Sequence, residues 1–362
     1  MNGKSTRATL AVPPRVLARR ARLRYASDES PGIRRVARGR GFAFVNADGR
    51  PVRDRRTLAR IRGLVIPPAW TDVWICPRAN GHLQATGRDA RGRKQYLYHA
   101  QWQAEANRAK FDGLSQFGKA LPALREQIAR HLALPELTRS KIAATVIALL
   151  DGTLVRVGNE EYARTNSSFG LTTLRNRHAK VQRGRVLLRF RGKSGQQHDV
   201  EFHDRRIARI VRACQDLPGQ QLFQYRDERG VYRRLESADV NRYLQDATGF
   251  PFTAKSFRTW KATALALELL LPQSEHATTK TESKRAVRGA VCEVAEALGN
   301  TATVCRNYYI HPQIIELFER GELAARCGSL PRRSRKRMSP YEQLLLRLLG
   351  RLERNGSRRK AA

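Results

Sequence analysis

The sequence has few of the features that mark metal enzymes and disulfide-stabilised proteins. Its five cysteines, Cys76, Cys214, Cys292, Cys305 and Cys327, are scattered and form no CxxC pair. The eight histidines are also dispersed, and neither HExxH nor a group of acidic residues at metal-ligand spacing occurs. The cysteine spacing indicates reduced thiols, and the pattern as a whole predicts no metal site.

Signals for nucleotides and membranes are equally scarce. The sequence has no P-loop, no apolar run long enough to span a bilayer, and no signal peptide at its start. We therefore expect no nucleotide, no other cofactor and no membrane partner.

Acidic side chains are few compared with basic ones. Lys and Arg number 69, Asp and Glu number 32, and the formal net charge is +37. Such an excess would repel itself unless a polyanion normally neutralises it. Nucleic acid is the favoured polyanion and a membrane surface the weaker candidate, so we expect a cytoplasmic, nucleoid-associated protein.

The length of 362 residues and the hydrophobic content of 41% allow two unequal domains. Residues 1–21 are basic and interrupted by proline, and we expect them to be flexible. Residues 22–103 carry short strand patterns and turns with Gly or Asn, which predict a small β-rich domain. From residue 104 apolar residues recur at helical spacing, so residues 104–328 predict a mainly helical domain. Residues 329–362 form a basic tail with an amphipathic helix.

One β-hairpin is expected inside the helical domain. VLLRF (186–190) and HDVEF (198–202) read as its strands, and Lys193 lies between two glycines at its tip. The polar residues 274–285 are expected to form a mobile loop. The predicted fold class is therefore α+β, with a β-rich N-terminal domain and a larger helical domain that contains a hairpin.

Tyr309 is the candidate nucleophile. It lies in EALGNTATVCRNYYIHP (296–312), among small, polar and basic side chains. Phenols ionise with a pKa of about 10 in water, so attack on a DNA phosphodiester needs nearby cations and a proton donor. Arginines can hold the oxygens on which negative charge develops, and the departing oxygen needs a proton.

Arg156, Lys193, Arg258 and Asn300 could supply these groups. Each also has an ordinary explanation. An arginine among 69 basic residues is most often a solvated or phosphate-gripping charge, and a lysine next to glycines is usually a turn residue. Spacing alone does not assign a catalytic role to any of them.

Several motifs in a fixed order carry a family resemblance. They are RVGNEEYARTNSSFGLTTL (156–174), FRGKSG (190–195), FRTWKAT (257–263), and LGNT with YIHP (298–301 and 309–312). Together they resemble type IB DNA topoisomerases, most of all the compact poxvirus-like and bacterial branch. IPPAW (66–70) and RKQYLYH (93–99) resemble the amino-terminal DNA-clamping domain of that family, so the resemblance covers about residues 23–317.

The resemblance implies a role for each catalytic candidate. Tyr309 would attack phosphorus to give a 3′-phosphotyrosyl enzyme and a free 5′-hydroxyl strand, while Arg156 and Arg258 hold the non-bridging oxygens. Lys193 would be the general acid toward the 5′ oxygen, since neighbouring arginines make a lysine a stronger acid. Many family members have histidine where this chain has Asn300, whose amide can donate a hydrogen bond but cannot titrate.

The same resemblance implies a double-stranded DNA partner and the topoisomerase IB/tyrosine recombinase catalytic fold. Gln95, Tyr96, Tyr98 and Tyr162 are the DNA-binding candidates, the first three on a strand in the major groove. Simple alternation on a half-buried strand would also explain those three. The family pattern further implies a monomer that forms a C-shaped clamp and relaxes positive and negative supercoils without ATP or metal.

Alternatives remain at the level of the residue and of the function. Tyr308 could be the nucleophile, but the register of Tyr309 to Asn300 and to the following IHP fits the family pattern. A tyrosine recombinase would use a similar residue set, although its expected HxxR histidine is replaced by Lys255. An architectural DNA-binding protein would explain the charge but not the ordered motifs. The sequence offers no dedicated base for the phenol proton, so water is the expected acceptor.

Overall fold

The chain divides into two compact units. The computed structural model describes residues 13–39, 41–277 and 279–361, so residues 1–12 of the expected flexible segment lie outside the described residues. The N-terminal unit ends at Asp112, and the C-terminal unit begins at Gly113.

The N-terminal unit is built on one antiparallel sheet. Its described elements are α1 (Pro14–Arg20), β1 (Ile33–Arg38), β2 (Gly41–Val45), α2 (Arg55–Gly63), β3 (Thr71–Ile75), β4 (Leu83–Arg88), β5 (Lys94–Tyr98) and α3 (Ala100–Asp112). The strands lie in the order β2-β1-β3-β4-β5. Ile33, Val73, Ile75 and Ala85 from three strands bury one face against Ile61 of α2. The predicted N-terminal sheet is therefore present.

Helix α1 occupies part of the segment that the sequence suggested to be flexible. Pro14 starts the helix, where its missing N–H has no intrahelical partner to lose. Ala18 is buried in a cluster with Leu23 and Trp102. Because Trp102 belongs to α3, this packing joins both helices, and the N-terminal unit extends to Asp112 rather than to residue 103.

The C-terminal unit is mainly helical. Its helices are α4 (Leu114–Leu132), α5 (Arg139–Thr153), α6 (Glu160–Asn166), α7 (Arg205–Gln215), α8 (Ser237–Thr248), α9 (Ala254–Leu270), α10 (Lys280–Leu298), α11 (Ala302–Tyr308), α12 (Pro312–Glu319), α13 (Leu323–Cys327) and α14 (Pro340–Ala361). Its strands are β6 (Ala179–Gln182), β7 (Arg185–Arg191), β8 (Gln197–His203), β9 (Gln224–Arg226) and β10 (Tyr232–Arg234). Phe117 of α4 meets Phe257 of α9 edge to face at 5.0 Å, and Trp260 is fully buried beside them.

The expected hairpin is present and is part of a three-stranded sheet. Strands β7 and β8 pair in antiparallel register from Arg185 opposite His203 to Arg191 opposite Gln197. Strand β6 adds to the other edge of β7. A short 3₁₀ turn, Lys193–Gly195, forms the tip.

The loop expected at residues 274–285 is shorter than the sequence suggested. A 3₁₀ turn covers Leu271–Glu275, and α10 already begins at Lys280. Thr279 caps this helix, because its hydroxyl accepts from Glu282 N and Glu282 accepts from Thr279 N. This reciprocal capping box compensates for the polar composition that argued against a helix.

Helix α14 is fixed to the C-terminal unit by a buried ionic network. Glu342 is 2% exposed and accepts hydrogen bonds from Arg125 at 2.8 Å and from Trp260 Nε1 at 3.0 Å. Arg125 also binds Asp151 at 2.7 Å, and Lys261 lies 3.2 Å from Glu342. Burial alone would raise the pKa of Glu342, but the hydrogen bond from Arg125 and the charges of Lys261 and Arg125 lower it to about 2.

In the described part of the chain, none of the helices is both long enough and apolar enough to cross a membrane. The residues of this part include no group of three or more His, Cys, Asp or Glu side chains placed to hold a metal ion. All five cysteines are unpaired, and four of them are buried.

Candidate active site

A cavity of about 480 Å³ in the C-terminal unit gathers four of the predicted catalytic residues. Arg156, Lys193, Arg258 and Tyr309 all line it. They come from segments far apart in the sequence: the chain after α5, the hairpin tip, the second turn of α9 and the end of α11. The fifth residue, Asn300, is not part of the lining but contacts Arg156.

Backbone pairing places Arg156. Leu171 N donates to Arg156 O at 2.9 Å, so the segment after α5 lies against the segment before the 3₁₀ turn at 171–173. Gly158 and Gly170 permit this approach, because a Cβ at Gly170 would lie 2.6 Å from Gly158. Gly158 also has a φ of +110°, which favours glycine. The two glycines of the RVGNEEY…FG motif therefore hold the arginine in place.

Arg156 and Asn300 are direct partners. Arg156 Nη2 donates to Asn300 Oδ1 at 2.5 Å and to Gly299 O at 3.2 Å. Because the amide oxygen faces the guanidinium, the amide nitrogen is left as a donor. This buried Nδ2 makes no well-formed hydrogen bond within the described chain, although the buried thiol of Cys305 lies beside it.

Arg258 is anchored by backbone carbonyls. The residue is 4% exposed, its Nη1 donates to Leu154 O, and its Nη2 donates to Leu298 O at 2.6 Å. These carbonyls precede Arg156 and Asn300 by two residues, so one guanidinium fixes both segments. Nε of Arg258 is buried and has no hydrogen-bond partner within the described chain.

Tyr309, rather than Tyr308, faces the arginines. Tyr309 directly follows α11, is half-buried and lines the cavity, and its ring centroid lies 5.4 Å from Cζ of Arg258. Tyr308 is 38% exposed and is absent from the lining. Burial and the charge of Arg156 lower the pKa of Arg258, and Tyr309 partly offsets that shift.

Lys193 reaches the cavity from the hairpin tip. Its side chain is exposed, and the turn folds over His198, whose ring stacks on Phe190 at 4.9 Å. A Cβ at Gly192 would lie 2.5 Å from the His198 ring, and Gly195 has a φ of +79°. Both glycines around Lys193 are therefore required by the geometry of the tip.

Lys255, which replaces the recombinase HxxR histidine, is a member of the site that was not among the predicted catalytic residues. It lines the cavity one helical turn before Arg258 on α9, and the spacing of three residues is the signal that could have found it. With Lys255 the lining holds four cations, and none of its described residues is Asp, Glu or His. Such a cavity attracts a polyanion.

The N-terminal candidates lie on β5 but do not share one face. Tyr96 and Tyr98 are 46% and 38% exposed, and their rings stack at 6.0 Å. Gln95 lies on the opposite face, where its Nε2 donates to Asp89 Oδ2 at 2.9 Å. Side chains alternate along a strand, so Gln95 has different neighbours from the two tyrosines, and a contact of these three residues with DNA stays a prediction.

The last DNA-binding candidate, Tyr162, lies on α6. Its side chain is outside the described part of the structure. Glu160, at the start of the same helix, pairs with Arg234 at 2.9 Å. A contact between Tyr162 and DNA stays a prediction.

Known proteins similar to this chain identify its family. The family model for eukaryotic DNA topoisomerase I, catalytic core, matches residues 99–324, and that for bacterial DNA topoisomerase IB, N-terminal domain, matches residues 41–89. DNA topoisomerase 1B of Acanthamoeba polyphaga mimivirus is 32% identical over 294 residues, which cover 80% of this chain and 88% of the relative. DNA topoisomerase I of Monkeypox virus and DNA topoisomerase 1B of Vaccinia virus (strain Copenhagen) are each 23% identical over 261 residues, 70% of this chain and 79% of the relative.

These matches show the family. The chain belongs to the type IB DNA topoisomerases, of the poxvirus-like and bacterial kind. The resemblance stated from the sequence motifs is confirmed, and the protein is a DNA topoisomerase.

Proposed function

We propose that the protein nicks one strand of duplex DNA through Tyr309, lets the free strand rotate to relax positive and negative supercoils, and reseals the nick. The observation that carries this proposal is the cavity in which Tyr309 lies with Arg156, Lys193 and Arg258. The C-terminal unit, with its hairpin beside these residues, is proposed to have the catalytic fold shared by type IB topoisomerases and tyrosine recombinases.

The cleavage step exchanges one phosphoester for another. The Tyr309 oxygen bonds to phosphorus while the bond from phosphorus to the 5′ oxygen breaks, which leaves a 3′-phosphotyrosyl enzyme. Lys193 gives a proton to the departing 5′ oxygen, and religation returns it. Because a phosphoester is present on both sides of the step, the reaction needs no ATP, and the torsion in the DNA drives strand rotation.

The two arginines stabilise the charge that develops on the non-bridging oxygens. Each Nη of Arg258 donates one of its two protons to a carbonyl, so its remaining N–H groups, that of Nε among them, and its charge are what it offers to a phosphate. A buried donor without a partner costs about 1–3 kcal/mol, and a bound phosphate oxygen would remove that cost. Asn300 does not line the cavity, so its hydrogen bond to Arg156 supports an orienting role.

Water accepts the proton of Tyr309 in this mechanism. The described lining of the cavity contains no carboxylate or imidazole that could accept the proton, whereas its four cations would stabilise the negative charge that develops during attack. We therefore expect the single-turnover cleavage rate to rise with pH across the neutral range. A rate independent of pH in that range would argue for a different proton acceptor.

Plasmid relaxation tests the function directly. Supercoiled plasmid is incubated with the protein in EDTA without ATP, and topoisomers are resolved on a gel. Stepwise relaxation supports the proposal, and junction products between paired sites would indicate a recombinase. Unchanged plasmid topology would indicate an architectural DNA-binding protein. The assay also tests the proposed independence from nucleotide and metal.

We further propose that the protein acts as a monomer on the nucleoid, in the cytoplasm, with both units closed as a clamp around one duplex. The net charge of +37 supports a DNA-bound location. Mass photometry of the covalent complex should show one protein per duplex. Two proteins per duplex would contradict the monomer.

A further inference from the structure

A single buried hydroxyl connects the segment of Tyr309 to helix α9. Thr263 is 0% exposed, and its Oγ1 lies 3.2 Å from Tyr309 O. The same Oγ1 accepts a hydrogen bond from His311 N at 3.1 Å. The peptide groups on both sides of Ile310 therefore bind one side chain.

The hydroxyl has one proton for two carbonyl acceptors. Besides Tyr309 O, Thr263 Oγ1 lies 2.8 Å from Thr259 O, one turn earlier on α9. It can donate to only one of these at a time, while it accepts from His311 N in either case. The hydrogen bond from His311 N to Thr263 therefore connects the Tyr309 segment to α9 whichever carbonyl accepts from the hydroxyl.

This link matters because Tyr309 lies between two helices. Helix α11 ends at Tyr308 and α12 begins at Pro312, so residues 309–311 belong to neither. From the α11 side, Tyr309 N and Ile310 N both donate to Cys305 O at 3.0 Å. Thr263 holds the same segment from α9, on which Arg258 also lies.

Helix α9 binds the chain segments that carry Arg156, Asn300 and Tyr309. Arg258, five residues before Thr263, binds the carbonyls that precede Arg156 and Asn300 by two residues. We propose that Thr263 is a positioning residue for strand transfer, whose hydroxyl fixes Tyr309 relative to Arg258. This inference rests on the proposed function of Tyr309 as the nucleophile.

Loss of the hydroxyl should slow chemistry without weakening DNA binding. In-line attack needs the nucleophile aligned with the scissile bond, and a misplacement of about 1 Å can cost about 100-fold in rate. Thr263 is fully buried and does not line the cavity, so we expect it to make no contact with a bound phosphate. For Thr263→Val we expect a cleavage rate lower by about 10- to 100-fold and an unchanged Kd for duplex DNA.

Thr145→Val is the matched control. Thr145 is also 0% exposed, and its hydroxyl donates to Lys141 O at 2.8 Å, the same contact with the preceding turn that Thr263 makes. It lies on α5, and within the described part of the chain its hydroxyl bonds to its own helix rather than to the Tyr309 segment. This variant reports the general effect of replacing a buried helical threonine by valine.

A second pair of variants isolates the oxygen atom. Thr263→Ser keeps the hydroxyl and Thr263→Ala removes it, so the two proteins differ by one oxygen. We expect Thr263→Ser to cleave within a few-fold of wild type and at least about 10-fold faster than Thr263→Ala. This comparison remains decisive if Thr263→Val does not fold.

The experiment measures single-turnover formation of the covalent adduct on a suicide duplex, with Kd from fluorescence anisotropy and melting temperatures for every variant. If wild type forms no adduct, the proposed function fails. If wild type forms it and Thr263→Val cleaves as fast as Thr145→Val, the positioning role is overturned. Equal rates for Thr263→Ser and Thr263→Ala would overturn it as well.

Discussion

The two arginines of the site are held in different ways. Arg258 is almost fully buried and donates one hydrogen bond from each Nη, to Leu154 O and to Leu298 O. Arg156 is half-buried and donates hydrogen bonds to Gly299 O and Asn300 Oδ1 in the turn after α10. Arg258 therefore has a structural part in addition to its charge, whereas Arg156 is the one better placed to adjust to a phosphate.

Replacement of each arginine by lysine should separate the structural role of Arg258 from the role of its charge. Lysine cannot reproduce a planar fork that binds two carbonyls, so Arg258→Lys leaves a buried acceptor unpaired at a cost of about 1–3 kcal/mol. We expect Arg258→Lys to lower both the cleavage rate and the melting temperature. Arg156→Lys should lower the cleavage rate alone. Equal melting temperatures for the two variants would contradict the anchoring role of Arg258.

Replacement of each tyrosine tests the choice between neighbours. Tyr309→Phe should abolish the covalent adduct, because it removes the oxygen that we propose to join the phosphorus. Tyr308→Phe is its matched control, since that ring is exposed and outside the cavity lining. The measurement is adduct formation on a denaturing gel. Loss of the adduct in Tyr308→Phe, but not in Tyr309→Phe, would reverse the assignment.

The sequence predicts those elements whose local pattern and tertiary setting agree. The hairpin β7–β8 has a clear apolar pattern and occurs as expected. Helix α1 is missed because its stability depends on Trp102, far along the chain. The start of α10 is missed because the capping box at Thr279 outweighs a polar composition. Long-range partners of this kind leave no local signal.

For the site, the sequence predicts the residues but not all of the contacts that hold them. Tyr309, Arg156, Lys193 and Arg258 follow from the motifs, and the cavity brings them together. The hydrogen bonds that anchor Arg258 on two carbonyls cannot be predicted from the sequence, because every residue has a backbone carbonyl. The alternation of Gln95 with Tyr96 follows from the strand pattern, but the hydrogen bond from Gln95 to Asp89 could not be predicted from the motif.

Helix α14 should depend on its buried carboxylate in a pH-dependent way. Glu342 has a pKa lowered to about 2, below its ordinary value of 4.5, so it stabilises the fold above about pH 4.5. The contribution is on the order of 3 kcal/mol and is lost as the pH falls toward 2. Glu342→Gln should therefore lower the melting temperature at neutral pH, with a difference from wild type that shrinks between about pH 5 and pH 2.

An exposed glutamate provides the control for this prediction. Glu322 pairs with Arg326 at 3.2 Å, and its side chain is 41% exposed. Glu322→Gln should change the melting temperature little at any pH, because exposed pairs contribute little. A Glu342→Gln deficit that stayed constant down to pH 2 would show that packing, not charge, is what Glu342 supplies.

For the whole molecule, the net charge of +37 makes DNA binding depend on salt. Each phosphate neutralised on duplex DNA contributes about −0.9 to the slope of log K against log salt concentration. Lys255 lines the cavity and is a candidate for one such contact. We expect Lys255→Gln to weaken binding for all sequences and to reduce the steepness of the slope by about 0.9.

The matched control is Lys280→Gln, which removes the same charge at an exposed position outside the cavity lining. Both variants change the net charge equally, so a long-range effect would alter their slopes to the same extent. A direct phosphate contact alters only the slope of Lys255→Gln, because counterion release follows local neutralisation. Equilibrium binding in a salt titration decides between them, and identical slopes would remove Lys255 from the phosphate-binding set.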